Sequence, residues 1–272
     1  MKVTFWGVRG SIAVSGPRFA ATGGNTTCLC VEHEGERLVL DGGTGLRALG
    51  ESLGFHPLRA TLLFTHLHWD HIQGVPFFAP AFHPDSDLTF MGVRRDTGGL
   101  RDALALQMRP PQFPVGLCAL VGARRFVDVA PAEPFEVGPF RVTPCEQDHP
   151  DGVVSYRVEA GGRSLVFATD TEHGGVLDRR LITLSEGVDL LVHDAQYTPD
   201  EYQGRAGPPR RGWGHSTWAE AAGVARAAHV GRLALFHHDP GRDDDGVAAL
   251  EARAQTVFEP TFAAREGATV AL

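Results

Sequence analysis

Ala60-Thr61-Leu62-Leu63-Phe64 runs directly into Thr65-His66-Leu67-His68-Trp69-Asp70-His71, and this junction decides how the rest of the 272-residue chain is read. The first five residues are apolar and β-prone with polar flanks, which predicts a buried strand ending where the histidines begin. The histidines then sit on a loop at that strand's carboxyl end. Three imidazoles and a carboxylate within six positions is a denser set of nitrogen and oxygen donors than a turn requires. Borderline-soft divalent metals such as zinc accept these donors. The alternation lets His66 and His68 converge on one ion while Asp70 and His71, one step further round the turn, face a second. Two ions placed so can share a solvent molecule. The alternative, a polar turn rich in histidine by accident, does not account for the matching donors downstream.

The chain is longer than a typical domain, yet layered α/β folds of this length often form one domain with one core, and a single domain over residues 1–272 is expected. The formal charge of -8 argues against a broad basic surface that grips duplex nucleic acid and leaves a small anionic substrate compatible. Cys28, Cys30, Cys118 and Cys145 form no CxxC pair, and Cys28 and Cys30 share one face of an expected strand, which suits reduced, partly buried thiols. The amino terminus has no long apolar leader and no run is long enough to span a bilayer, so a cytoplasmic location without membrane contact is expected.

Strands are expected at residues 3–8, 28–32 and 37–40, the last two joined by the polar turn Glu34-Gly35-Glu36. Asp41-Gly42-Gly43-Thr44-Gly45 then opens a helix that places Leu46, Leu49 and Leu53 on one face. A glycine-rich loop at a helix start can bind phosphate through backbone N–H groups. It is equally a tight turn in which Asp41 bonds neighbouring backbone. Asp41 also precedes the histidine strand closely enough to support a ligand imidazole. A helix starting at 72 is shortened or displaced by Pro76 and Pro80. A strand at 87–92 and a helix at 97–108 follow, then the stiff connection Arg109-Pro110-Pro111-Gln112-Phe113-Pro114, which is a pocket wall or a linker. Further strands are expected at 124–129, 135–137, 140–145, 154–159, 163–168, 188–192 and 232–236, with helices at 217–229 and 247–257. Thr217 or Ser216 caps the first of these helices with Glu220 as capping-box partner. Strands followed by helices, repeated without a compositional break, predict two sheets packed face to face with helices outside, an αββα four-layer sandwich with mainly antiparallel or mixed sheets.

The remaining donors fall at or just beyond the ends of apolar strands: Asp148 and His149, Asp170, His193 and Asp194, then His237 and His238. Ligands on several strand ends converge on one rim of a sheet. A carboxylate such as Asp170 between two ions neutralises part of their charge and fixes their separation near the roughly 3.5–4 Å usual for such pairs. Water acidified by two cations is hydroxide near neutral pH and serves as nucleophile. No Ser-His-Asp or Cys-His arrangement is needed.

The pattern Thr-His-Leu-His-Trp-Asp-His, followed by His149, Asp170 and His237, resembles the signature of the metallo-β-lactamase-fold hydrolases over nearly the whole chain. The resemblance implies that His66, His68 and His149 hold one metal, that Asp70, His71 and His237 hold the other, and that Asp170 bridges. Zinc is the first expectation, with manganese or iron also suited to these donors. An aspartate bridge is closer to the phosphodiesterase and glyoxalase branches than to the true lactamases. Trp213-Gly214-His215-Ser216-Thr217, the alanine-rich segment after it and Leu235-Phe236-His237 resemble tRNase Z and its phosphodiesterase relatives. His193-Asp194-Ala195-Gln196-Tyr197 stands where they carry a His-Glu or His-Asp pair. The implied catalytic set is Asp70, His215 and Asp194, with Asp194 orienting His215 so that it stabilises phosphorane charge or protonates the leaving alkoxide. The bland reading of His215 is an exposed neighbour of a helix cap.

The opening, Phe5-Trp6-Gly7-Val8-Arg9-Gly10-Ser11 with Gly23-Gly24-Asn25-Thr26, is similar to a bacterial subgroup described as cyclic-phosphodiesterase-like, which makes Arg9, Asn25 and Thr44 candidates for phosphate contacts. The tRNase Z enzymes carry a basic Gly/Pro-rich arm that nothing here matches. Ala206-Gly207-Pro208-Pro209-Arg210-Arg211-Gly212 is a shorter basic loop, placed before His215 where it can touch an anionic substrate. The expectation is a dinuclear hydrolase of a small or cyclic nucleotide-type phosphodiester. Nucleic acid, in the form of tRNA 3′ processing, is less favoured; a lactone or thioester hydrolase and a non-catalytic metal-dependent sensor stand behind it. A homodimer is compatible with the sequence.

Overall fold

The computed structural model describes residues 1–94 and 98–272. Strands β1 (Lys2–Gly7), β2 (Cys28–His33), β3 (Glu36–Leu40), β4 (Arg59–Phe64), β5 (Asp87–Val93) and β6 (Ala123–Val129) lie side by side in that order in one sheet. Strands β7 (Phe135–Val137), β8 (Phe140–Gln147), β9 (Val153–Ala160), β10 (Arg163–Ala168), β11 (Leu190–Asp194), β12 (Arg232–Phe236) and β13 (Thr261–Ala263) form the other. The last strand, β14 (Thr269–Ala271), returns to the first sheet beside β1. The helices are α1 (Gly45–Leu53), α2 (Trp69–Ile72), α3 (Leu100–Gln107), α4 (Arg179–Leu184), α5 (Pro199–Tyr202), α6 (Trp218–Ala227) and α7 (Asp244–Gln255).

Both sheets are mixed. β1 to β3 pair antiparallel and β3 to β6 parallel, while β7 to β10 pair antiparallel and β10 to β13 parallel. The polar turn between β2 and β3 centres on Glu34 and Gly35, both at positive φ (50° and 82°), the backbone twist that suits a two-residue hairpin.

Alternation along the strands shows why four layers form. A strand's successive side chains face opposite ways, so one buried on both sides must be apolar throughout. Leu63 of β4 packs between the sheets, whereas Leu62 and Phe64 pack under the helices. In the second sheet, Leu165 and Phe167 of β10 face the first sheet while Val166 and Ala168 face Leu181, Ala221 and Ala225 of the outer helices. The cores are therefore three: helix on sheet, sheet on sheet, and sheet on helix. This is the expected αββα sandwich.

Some local expectations shift. The helix expected from 72 is displaced, as its prolines imply: the chain makes the single turn α2 and two 3-10 turns, Val75–Phe77 and Ala79–Phe82, because each proline removes a donor from the helical ladder. Asp70 and His71 therefore stand on a helical turn, and only His66 and His68 on the loop. The helix expected from 97 begins at Leu100, its first position, Thr97, lying outside the described residues. The strand expected at 188–192 is displaced to Leu190–Asp194, so His193 and Asp194 end it rather than follow it. Thr217 caps α6 as expected, exchanging hydrogen bonds with Glu220. Among the described residues no helix is long and apolar enough to cross a membrane. All four cysteines are free, and burial pushes the Cys30 thiol up to about 12, leaving it inert.

Leu38, fully buried between the sheets, tests this packing. Leu38→Ala is expected to lower unfolding free energy by about 2–5 kcal/mol, whereas Val176→Ala, at a position 79% exposed, leaves the urea midpoint nearly unchanged.

Candidate metal centre

The parallel arrangement of β3 and β4 pairs Leu40 with Leu63, which carries Asp41 alongside Thr65. Asp41 there accepts hydrogen bonds from the Thr65 N–H and hydroxyl, each at 2.8 Å, and from His71 Nδ1 at 2.9 Å. The loop after β4 is thus anchored to the strand beside it, and His66, His68, Asp70 and His71 leave it in fixed directions. Across the sandwich, His149 follows β8, Asp170 follows β10 and His237 follows β12. The rims of both sheets meet here.

Three overlapping donor groups result, the two formed by the expected ligands and a third of Asp170, Asp194, His215 and His237. His66, His68, His149 and Asp170 place one ligand atom each within 4.8 Å of one another, and so do Asp70, His71, Asp170 and His237. Asp170 belongs to all three. Its Oδ2 lies 3.7 Å from His66 Nε2 and 3.7 Å from His149 Nε2, while its Oδ1 lies 3.2 Å from His71 Nε2 and 3.1 Å from His237 Nε2. Asp70 Oδ2 completes the second group, 3.4 Å from His71 Nε2 and 3.3 Å from His237 Nε2. All the sequence-derived metal candidates are brought together, and none is left outside.

Partners behind the rings decide which nitrogen faces inward. His149 Nδ1–H donates to the Gly214 carbonyl at 2.8 Å, and His237 Nδ1–H donates to Gln196 Oε1 at 2.9 Å. The Thr65 hydroxyl spends its proton on Asp41, so at 3.0 Å it accepts from His66 Nδ1–H. With Nδ1 protonated in these rings and in His71, each Nε2 offers a lone pair to the cluster, the tautomer a metal ligand needs. His66 Nε2 and His71 Nε2 are buried with no hydrogen-bond partner. Buried polar atoms are seldom left so, and a divalent cation would satisfy both. The donor set, histidine and aspartate alone, suits zinc, manganese or iron.

Charge points the same way. Burial opposes ionisation of Asp170, yet His237, His71 and His66 hold its carboxyl well below the usual range. Burial also opposes protonation of His71, but Asp170, Asp70 and Asp41 overcome it and raise the ring well above its ordinary value. These carboxylates make a position that attracts positive charge, held as a proton on His71 in the metal-free chain, which a bound cation would displace to free the Nε2 lone pair. Burial, reinforced by His71, pushes His66 well below its ordinary value, so this ring stays neutral and able to ligate.

Beside the cluster, His215 Nδ1 lies 2.8 Å from Asp194 Oδ2 and 3.9 Å from Asp170 Oδ2. Asp194 is fixed by the Gln196 N–H at 3.0 Å. Burial works against protonation of His215, but Asp194 and then Asp170 and Asp70 raise it to about 9.

The other candidates have different partners. Arg9 is fully buried, and its guanidinium donates to the carbonyls of Gly23 (2.8 Å), Asp239 (3.3 Å) and Arg242 (2.6 Å). The expected phosphate contact is corrected to a strut between the amino-terminal loop and the 239–242 segment. Asn25 gives its side-chain amide to Glu266 at 3.0 Å, and the Thr44 hydroxyl accepts from Thr26 N–H at 2.8 Å. Neither side chain is directed by these bonds to the cluster. His193 and His238 also stay outside it, each donating to a backbone carbonyl, of Asp194 and Ala264 respectively.

Sequence reasoning missed the residues that act through geometry. Ser11 N–H donates to Asp70 Oδ2 at 2.7 Å. A Cβ on Gly10 would stand 2.4 Å from His237 Nδ1, and one on Gly214, at φ 85°, would stand 2.1 Å from His149 Nδ1. Glu172, two residues beyond Asp170, accepts from the N–H groups of Gly212 and Gly214 at 2.8 Å each and so ties the His215 loop to the cluster.

Against known proteins, residues 36–238 match the model of the beta-lactamase superfamily domain. The chain belongs to the metallo-β-lactamase-fold hydrolases. It is 26% identical over 286 residues to a ribonuclease Z of Natronomonas pharaonis, covering 87% of this chain and 86% of that protein. Among solved structures it is similar to the metallo-β-lactamase fold protein YhfI from Bacillus subtilis, with a TM-score of 0.75, 21% identity and 99% of each chain covered. A diphosphatase from the PhnP family has a TM-score of 0.71 at 16% identity, over 99% of this chain and 96% of that one. By this membership the chain is a metal-dependent hydrolase.

Asp41→Asn weakens the acceptor that fixes His71. Divalent-metal affinity, read by competition with a chromophoric chelator, is expected to fall about 10–100-fold while the circular dichroism spectrum is unchanged.

Proposed function

We propose that the protein hydrolyses phosphodiesters with two divalent ions, zinc first, held by two donor groups that share Asp170, and that its substrate is a small or cyclic nucleotide-type diester. When bound, the ions would supply Lewis-acid charge and an acidified water. His66, His68 and His149 would hold one, Asp70, His71 and His237 the other, and the two oxygens of Asp170 would face both.

The observation that carries the reading is the Asp194–His215 pair beside this cluster. Ligating residues alone would suit many hydrolases. Here Asp194 accepts the Nδ1 proton, which fixes the ring and leaves Nε2 as the working nitrogen. Asp194, which raises the ring despite its burial, favours a proton there. That proton can neutralise charge on a phosphoryl oxygen or pass to the leaving alkoxide. Burial of His215 and Asp194 excludes water that would otherwise weaken these interactions.

A second reading, cleavage of RNA, is favoured by the likeness to ribonuclease Z over most of both chains. The net charge of -8 favours the small substrate, because binding to nucleic acid rests on cations that neutralise phosphates.

Metal-reconstituted protein is expected to cleave bis(p-nitrophenyl) phosphate, with activity abolished by chelation. His215→Ala should lower kcat by about 10²–10⁴-fold without loss of bound metal. Cleavage of a nitrophenyl carboxylic ester or a lactone, with the diester untouched, would refute the phosphoryl assignment. Cyclic nucleotides and a tRNA precursor then separate the two readings.

A further inference from the structure

A cavity of about 420 Å3 opens beside His149, lined by Asp148, His149, Pro150, Glu172, Gly174, Arg211 and Gly212. Its walls come from segments that also supply the site: 148–150 carry His149, 172–174 follow Asp170, and 211–212 precede His215. The segments are tied together. Glu172 N–H donates to the Asp148 carbonyl at 2.9 Å, and the Glu172 carboxylate accepts from Gly212 and Gly214 N–H and from the Tyr202 hydroxyl at 2.5 Å. The rim is therefore fixed relative to the candidate metal ligands.

The charges lining the cavity are unequal in their freedom. The Glu172 carboxylate is engaged by those three donors. Asp148 pairs at 3.1 Å with Arg180, which it shares with Asp178 at 2.6 Å. Arg211 is exposed, donates through one nitrogen to the Gly174 carbonyl at 3.1 Å, also reaches the Tyr202 hydroxyl, and has no ion pair among the described residues. Its neighbours on the loop differ: Arg205 pairs with Asp200 at 2.7 Å, and Arg210 stacks over Trp213 and Tyr197 at 4.6 and 5.4 Å. A guanidinium without a carboxylate partner, at the rim of a cavity next to a hydrolytic centre, is arranged to take an anion from outside the chain.

We infer that Arg211 is a specificity-determining residue, selecting substrates whose arm beyond the scissile phosphate carries a second phosphate that lies in the cavity beside His149. The inference rests on the phosphodiesterase reading for its substrate class. Its contacts, however, are Arg211's own and can be read by binding alone.

Thymidine 3′,5′-bisphosphate and thymidine 5′-monophosphate are monoesters, which allows calorimetry on metal-loaded protein without turnover of a diester. The bisphosphate is expected to bind on the order of fivefold more tightly. Arg211→Ala should erase that difference and leave the monophosphate unchanged, and Arg205→Ala should preserve the difference. Equal or undetectable binding of the two nucleotides by wild-type protein, or an equal loss for both in Arg211→Ala, overturns the inference. A preference erased by Arg211→Ala in a protein that does not cleave bis(p-nitrophenyl) phosphate would instead overturn the phosphodiesterase reading and uphold the anion selectivity of Arg211.

Discussion

One carboxylate joins the two halves of the site. Asp170 turns Oδ2 toward His66 and His149 and Oδ1 toward His71 and His237. Placing a charged group at this depth carries a desolvation penalty of several kcal/mol, which cations held between its oxygens and the facing rings would offset. The surrounding architecture supplies those rings from both sides. His66 and His71 come from the first sheet, His149 and His237 from the second, so the face-to-face packing of the sheets is itself a condition for the site.

The residues behind the ligands make the arrangement specific. Asp41, Thr65, Gly214 and Gln196 each accept a hydrogen bond from Nδ1–H of a different ring, which turns Nε2 of His71, His66, His149 and His237 toward Asp170. Asp41, Asp170 and His237 all adopt positive φ, at 60°, 53° and 58°, one or two residues beyond the ends of their strands. Side chains other than glycine rarely adopt this backbone conformation, and it persists only where the surroundings impose it. The strain has a geometric use: it turns each chain sharply at the sheet rim and aims the side chain inward. Buried hydrogen bonds and the packing of three cores hold the turn in place.

Much of this was legible in the sequence because the ligands lie at strand ends. Apolar runs marked β4, β10 and β12, and the donors that follow them identified the rim. Asp41 could be anticipated because β3 and β4 are sequential. What escaped the reading works through backbone atoms or through room left for a ring. The Gly214 carbonyl, the Ser11 N–H and the space at Gly10 are not encoded by side-chain type. Arg9 misled for a related reason. The resemblance of the opening segment makes it a phosphate candidate, but carbonyls of residues 23, 239 and 242 take its Nε and Nη1 donors and its Nη2 is buried. The prolines imply a shortened or displaced helix near 72, but not the start of α2 at Trp69, which puts Asp70 and His71 on a helical turn.

The shared carboxylate makes a prediction about metal count that no other feature of the fold makes. Native mass spectrometry of protein reconstituted with zinc should find two ions per chain, falling to one in His149→Ala and in His237→Ala and below two in Asp170→Ala. One ion in the wild type, or two ions that persist in Asp170→Ala, would contradict a centre built around this carboxylate.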